Sequence, residues 1–202
     1  MPEPGAEQLV LTGSVTGSFT LTNNQGTVTT FTKTDPAVAT WQVSSIVQDG
    51  LTNSTTTTLS ETVVVNGTTY ARPKRIAAPT SAASAGTCTS APDTKGCRVL
   101  EYVYANTTTA TSLVFGDFAG QVKEIKVWST EPGAATATAK TVANYLYDDA
   151  GRLRQYWNPQ ISPALKTEYG YDSAGRVTGL TPAGELPWTF TYGQRELRKP
   201  QL

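Results

Sequence analysis

Residues Tyr145 to Pro159 read YLYDDAGRLRQYWNP, and residues Tyr169 to Gly184 read YGYDSAGRVTGLTPAG. The two stretches share Tyr, Asp, Ala, Gly, Arg and an aliphatic residue at identical offsets: Tyr147, Asp148, Gly151 and Arg152 return 24 residues later as Tyr171, Asp172, Gly175 and Arg176. A carboxylate, an arginine and an aromatic ring that recur together suit either acid/base chemistry or a turn used twice. The turn has a direct physical rationale. Tyr147 ends an incoming strand, Asp148 accepts backbone N–H bonds as an Asx turn, Gly151 takes the left-handed conformation that closes a short hairpin loop, and Arg152 opens the return strand. A period of 24 residues holds two strands of about seven residues with their connections. That is one hairpin per repeat, and a lone hairpin is marginal in water, so each must bury its apolar face on its neighbours.

The pattern extends outward from these two copies. GDFAGQVKEI sets Asp117, Ala119 and Gly120 in the same order, 31 residues before Gly151, and TNNQGTV around Gly26 is a degenerate relative. A further partial copy ends at FTYG, Phe190 to Gly193. A motif recurring every few tens of residues marks a repeat architecture. Elsewhere the chain is rich in Thr, and residues such as Val28, Thr30 and Thr32 alternate with Thr27, Thr29 and Phe31, the two-residue period of strands. NNQG, KTDP, QDG and VNG supply turns between them. No segment carries a sustained helical face; SLVFGDFAGQVKEIKVW reads as strand, and GAATATAKTVANYLY as loop and strand. We therefore expect an all-β fold of consecutive antiparallel hairpins. Residues 1–110 read as a divergent hairpin segment containing a loop at 76–97, residues 111–193 as the repeats, and residues 194–202 as a tail outside the pattern.

Charge and composition exclude several functions. Lys plus Arg equals Asp plus Glu at 16 each, so no global field attracts nucleic acid or an anionic membrane. The basic clusters Arg72, Lys74, Arg75 and Arg195, Arg198, Lys199 are not interleaved with stacking aromatics and read as solvated loop or tail charge. No run approaches a membrane span. The chain has no histidine, which removes the commonest general base and metal ligand, and no cofactor or metal site is expected. Cys88 and Cys97, flanking Pro92 and Gly96, form a disulfide candidate, against the alternative of two unrelated thiols. Oxidised, they close a loop of about ten residues worth roughly 2.5–3 kcal/mol, and they imply an oxidising compartment. The first twenty residues lack the basic start and apolar run of a signal peptide, which suggests a piece of something longer.

Asp148 and Asp149 with Asp172 invite comparison with the carboxylate pair of a glycoside hydrolase, which must face one bond across about 5–10 Å. Their recurrence at one turn offset favours a cap for each turn instead. Without histidine or a GxSxG turn there is no activated nucleophile, so no catalytic residue is assigned. Trp128, Trp157 and Trp188 fall late in three successive units and would serve either as packing between hairpins or as a glycan-stacking platform. The sequons at Asn53, Asn66 and Asn106 carry meaning only in a eukaryotic secretory host.

The YDDAGRL and YDSAGRV copies resemble the YD repeats of the RHS family, large bacterial secreted or surface proteins similar in repeat pattern to the extracellular teneurins of animals. The stretch containing GCRVLEYVYA resembles the divergent strands that precede such repeats in actinobacterial members. The resemblance implies hairpins wound into a spiral β-shell, often around a toxic C-terminal domain. On that footing the chain is expected to be a structural fragment, extracellular or at the cell surface, whose partners are the remaining repeats and C-terminal domain of a larger polypeptide. The alternative is a carbohydrate-binding adhesive module that meets a cell-surface glycan. The aspartate-rich motif by which some members release their C-terminal domain has no match here.

Overall fold

A computed structural model of the chain describes residues 9–49, 55–65 and 67–193. Asn53, Asn66 and the tail with Arg195, Arg198 and Lys199 lie outside the described residues, as do Glu3 and Glu7. Thirteen strands form one antiparallel sheet whose order follows the chain. They are β1 (Val10–Gly13), β2 (Phe19–Thr22), β3 (Val28–Thr32), β4 (Gln42–Val47), β5 (Thr56–Val65), β6 (Thr68–Ala77), β7 (Val99–Tyr104), β8 (Val122–Ser129), β9 (Thr138–Tyr147), β10 (Leu153–Trp157), β11 (Lys166–Tyr171), β12 (Val177–Thr181) and β13 (Trp188–Thr189). The expected all-β, consecutive-hairpin fold is what the chain adopts, and β1 and β13 are the ends of a sheet that does not close.

Three details depart from the sequence reading. β6 runs through Pro73 to Ala77, so Arg72, Lys74 and Arg75 are strand residues paired with Glu61 and Glu101 and not the solvated loop charge expected. Proline cannot donate to the ladder, and the register shifts between Leu59 and Ser60 where Ser60 opposes Pro73, so a bulge absorbs it. SLVFG, expected as strand, lies in a folded loop between β7 and β8, joined to the sheet's ladder by a bridge from Gly116 to Tyr147. The third is a six-residue helix, α1 (Ala85–Ser90), where no helix was expected. The hydroxyl of Ser84 caps it, accepting the Thr87 amide at 3.1 Å. Pro92, just beyond its C-terminal Ser90, cannot continue it. So short a helix is not stable alone; it persists because Cys88 is fully buried and bonded to Cys97, with the two Cα atoms 5.4 Å apart.

The chain divides into two compact units, Met1–Val103 with Ile125–Thr141, and Tyr104–Glu124 with Val142–Leu202. The core of the first is a cluster of Ala77, Cys88, Cys97 and Val99, against which Ala83 and Trp128 pack. Arg75 ties the helix to the sheet, donating Nε to Glu101 Oε1 at 2.7 Å and Nη1 to the Thr89 carbonyl at 3.1 Å. Trp128 donates Nε1 to the other oxygen of Glu101 at 2.8 Å. The second unit holds both complete copies of the motif. Among the described residues nine hydrophobic side chains are buried while nineteen large ones are exposed, so much of their apolar surface is uncovered.

Candidate functional site

The two motif copies fold into the same turn. In the first, the Asp148 amide donates to the Arg152 carbonyl and the Gly151 amide to the Asp148 carbonyl, both at 3.0 Å. Asp148 Oδ1 accepts the Ala150 and Arg152 amides at 3.0 Å each, and Oδ2 accepts Arg152 Nε at 2.8 Å. In the second, Asp172 Oδ1 accepts the Ala174 and Arg176 amides at 2.9 Å and Oδ2 accepts Arg176 Nε at 2.8 Å. Gly151 and Gly175 sit at φ +76° and +78°, the left-handed region that side chains avoid. TNNQGTV makes the same turn with an amide in place of the carboxylate: Asn23 Oδ1 accepts the Gln25 and Thr27 amides at 2.9 Å, and Gly26 has φ +73°. GDFAGQ does not. Although Gly120 has φ +85°, the amides of Asp117 and Ala119 donate to the hydroxyls of Thr109 and Thr108.

Each motif tyrosine then reaches back across the hairpin. The hydroxyl of Tyr147, at the end of β9, donates to the carbonyl of Val122, first residue of β8, at 2.7 Å. Tyr171, ending β11, does the same to Leu153 of β10 at 2.9 Å, and Tyr192 to Val177 of β12 at 2.7 Å. The arginines connect one repeat to the next. Arg152 lies over the Tyr171 ring at 5.2 Å from its centroid and donates Nη1 to the Asp172 carbonyl at 3.3 Å; Arg176 lies over Tyr192 at 4.8 Å. Thus Asp fixes its turn and its arginine, the arginine covers the next tyrosine, and the tyrosine latches to the preceding strand. Tyr192, 21 residues after Tyr171, was legible as part of the partial FTYG copy. Arg154 was missed: it stands over Phe115 at 4.5 Å and 3.7 Å from Asp148 Oδ2, and it had no counterpart in the second copy to betray it, since Thr178 occupies that position.

This geometry sets the charge states. Burial works to raise the Asp148 carboxyl, but the amides of Arg152 and Ala150 and the Arg152 guanidinium overcome it and hold it below the ordinary aspartate value. The Arg176 amide and guanidinium hold Asp172 low in the same way. Burial, with the neighbouring Tyr145 and Asp117, pushes the Tyr147 phenol up to about 12, so it remains a neutral donor. Each carboxylate is ionised and committed to its own turn and arginine, an arrangement suited to fixing backbone and poorly suited to exchanging protons. Among the described residues no group of three or more His, Cys, Asp or Glu side chains could hold a metal ion, and no helix is long and apolar enough to cross a membrane.

The three tryptophans have different surroundings. Trp128, bonded to Glu101, packs on the disulfide cluster of the first unit. Trp157 lies in β10 with the Lys166 ammonium 4.7 Å from its ring centroid. Trp188, in β13, is 58% exposed and stands three strands from Trp157 in the sheet order, roughly 14 Å at ordinary strand spacing. A different aromatic row crosses the repeats. Tyr145, Tyr156 and Tyr169 on β9, β10 and β11 stack with centroids 6.2 and 6.4 Å apart and ring planes at 26° and 28°. Tyr156, the middle ring, turns both faces to its neighbours.

A family model described as RHS Repeat matches residues 147–186, from the first motif tyrosine through the second complete turn. No curated protein matches the chain.

Proposed function

We propose that this chain, an RHS/YD-repeat protein, serves as non-catalytic wall of a β-shell within a larger secreted or cell-surface polypeptide, enclosing a C-terminal toxin domain or meeting a surface partner. The observation that carries the reading is the linkage between repeats: Arg152 joins Asp148 of one turn to the ring of Tyr171 and the carbonyl of Asp172 in the next. Such a linkage specifies how hairpins are added and consumes the polar groups that chemistry would need. The uncovered apolar side chains support it, because a wall is completed by neighbours and contents. The residue blocks 1–110, 111–193 and 194–202 would then be approach, wall and connection.

The reading is tested by expressing the chain alone and together with its flanking coding sequence. Alone, its open edges at β1 and β13 should cause concentration-dependent association in light scattering. With its flanks, the product should be monomeric and protect any downstream domain from protease. A strictly monomeric, stable 202-residue chain together with an unprotected downstream domain would overturn the proposal. The adhesive reading through Trp128, Trp157 and Trp188 has one observation in its favour, the exposure of Trp188. A glycan array on the Trp188→Ala variant tests it, with loss of binding as the supporting result.

A further inference from the structure

The fourth tryptophan, Trp41, lies outside the repeats, and no part of the wall uses it. The chain between β3 and β4, Lys33 to Trp41, is nine residues long, which is more than a hairpin needs. It is held in one form by several devices. Val38 is 1% exposed, Asp35 makes an Asx turn by accepting the Ala37 amide at 2.7 Å, and Gln42 clamps both ends of the loop. Its Oε1 accepts the Thr34 amide and hydroxyl at 3.2 and 3.0 Å, and its Nε2 donates to the Thr40 carbonyl at 2.8 Å. A long connection fixed this firmly is where binding residues are carried on a rigid scaffold.

The loop forms one wall of a cleft of about 400 Å³ lined by Val15, Thr16, Gly17, Thr32, Lys33, Pro36 and Trp41. That volume falls within the range of small-ligand sites, roughly 300–1,000 Å³. The Phe19 ring meets Trp41 edge-on, 4.7 Å between centroids at 74°, and sets the attitude of the indole. Lys33 Nζ stands 5.6 Å from the Trp41 centroid and is the only charged side chain in the lining. An indole, two threonine hydroxyls and one cation, with no carboxylate among the described lining residues, are complementary to a ligand with an apolar ring face, hydroxyls and a negative charge.

We propose that this cleft binds an acidic sugar, a pyranose carrying a carboxylate, with Trp41 stacking on the ring face, Thr16 and Thr32 hydrogen-bonding ring hydroxyls, and Lys33 pairing with the carboxylate. An exposed cation–π contact is weak, so Lys33 on its flexible stem exchanges the indole for the ligand. The inference stands apart from the wall reading, since the loop and cleft belong to the first unit and use none of the repeat residues.

Titration calorimetry on the whole chain tests it with two probes, a glucuronate-containing chondroitin tetrasaccharide and neutral cellotetraose. The acidic probe should bind at least tenfold more tightly, and the preference should shrink as salt rises. Trp41→Ala should weaken the acidic probe at least tenfold. Lys33→Gln, at an exposed position, should abolish the acidic preference while leaving thermal unfolding unchanged, and Trp188→Ala should leave both affinities as they are. If Trp41→Ala lowers the melting temperature, Trp41→Phe takes its place and should retain binding within a few-fold. No binding of the acidic probe, equal binding of both probes, or a preference indifferent to Lys33→Gln would overturn the proposal. Binding abolished by Trp188→Ala and spared by Trp41→Ala would return the site to the repeats.

Discussion

The Asp148 turn and the Asp172 turn have the same hydrogen bonds to within about a tenth of an ångström, yet they occupy different surroundings. The Asp148 side chain is 7% exposed and that of Asp172 22%; their partners Arg152 and Arg176 are 33% and 52% exposed. The difference comes from the loop between β7 and β8. It bridges Gly116 to Tyr147, lays the Phe118 ring against Gly151 and brings Phe115 under Arg154. The second turn has Thr178 where Arg154 stood and open space beside its glycine. The motif carries its own geometry, while its contribution to stability depends on what lies over it.

The glycines separate these two terms most sharply. A Cβ on either residue meets the left-handed penalty, about 1–2 kcal/mol. At Gly175 it meets nothing else, but at Gly151 it lies 2.9 Å from the Phe118 ring, which must shift. Overpacking of that kind adds about 1–3 kcal/mol. Gly151→Ala should therefore cost about 2–5 kcal/mol in denaturant unfolding and Gly175→Ala about 1–2. Equal losses would mean that the loop does not hold Phe118 in place.

The tyrosine latches come next. Tyr147 is 7% exposed, and Tyr147→Phe deletes its hydroxyl and strands the Val122 carbonyl beneath an unchanged ring. That should cost about 1–2 kcal/mol. Tyr171→Phe should cost less, because water reaches the freed Leu153 carbonyl more easily at a half-buried ring. The phenol also gives an alkaline signature. Its folded value is raised to about 12, above the ordinary value of about 10, so its contribution is fully present below pH 10 and fades as pH rises toward 12. Tyr147→Phe should flatten that limb of the stability curve, and an unaltered alkaline slope would show that the latch is open in solution.

How much of this was legible follows from the range of each interaction. The turns were readable because an Asx cap and a left-handed glycine act within five residues, and even the Asn23 turn could be picked out from its Gly26. The disulfide was readable for the same reason, with Pro92 and Gly96 bending the chain between cysteines only nine positions apart. What failed was nonlocal. The extension of β6 past Pro73 depends on a bulge in the opposing strand, and α1 exists only because Cys88 is buried under the sheet. SLVFG lies within a loop whose return arm is held by the Thr109 and Thr108 hydroxyls, which accept the Asp117 and Ala119 amides. Trp128 looked like its neighbours in the repeat count, yet Glu101, 27 residues away in sequence, takes its N–H.

The smallest effect is the most specific to the motif. Asn23 shows that an amide can make this turn, so Asp148→Asn and Asp172→Asn should keep both turns folded while removing the negative charge that faces their arginines. At Asp148 the change leaves Arg152 and Arg154 facing a neutral partner in a covered site and should cost about 1 kcal/mol at neutral pH. Asp172→Asn, in the more exposed turn, should move the melting temperature less. The pH dependence fixes the sign. Both carboxyls lie below their unfolded value, about 3.9, so each contributes stability that is present above that value and lost as pH falls through the folded one. Wild type should therefore weaken below about pH 4, and the gap between it and Asp148→Asn should close there. A gap that stays constant down to pH 2 would show that the substitution acts through packing, and the ion pair would then contribute nothing that the turn's own amides do not already supply.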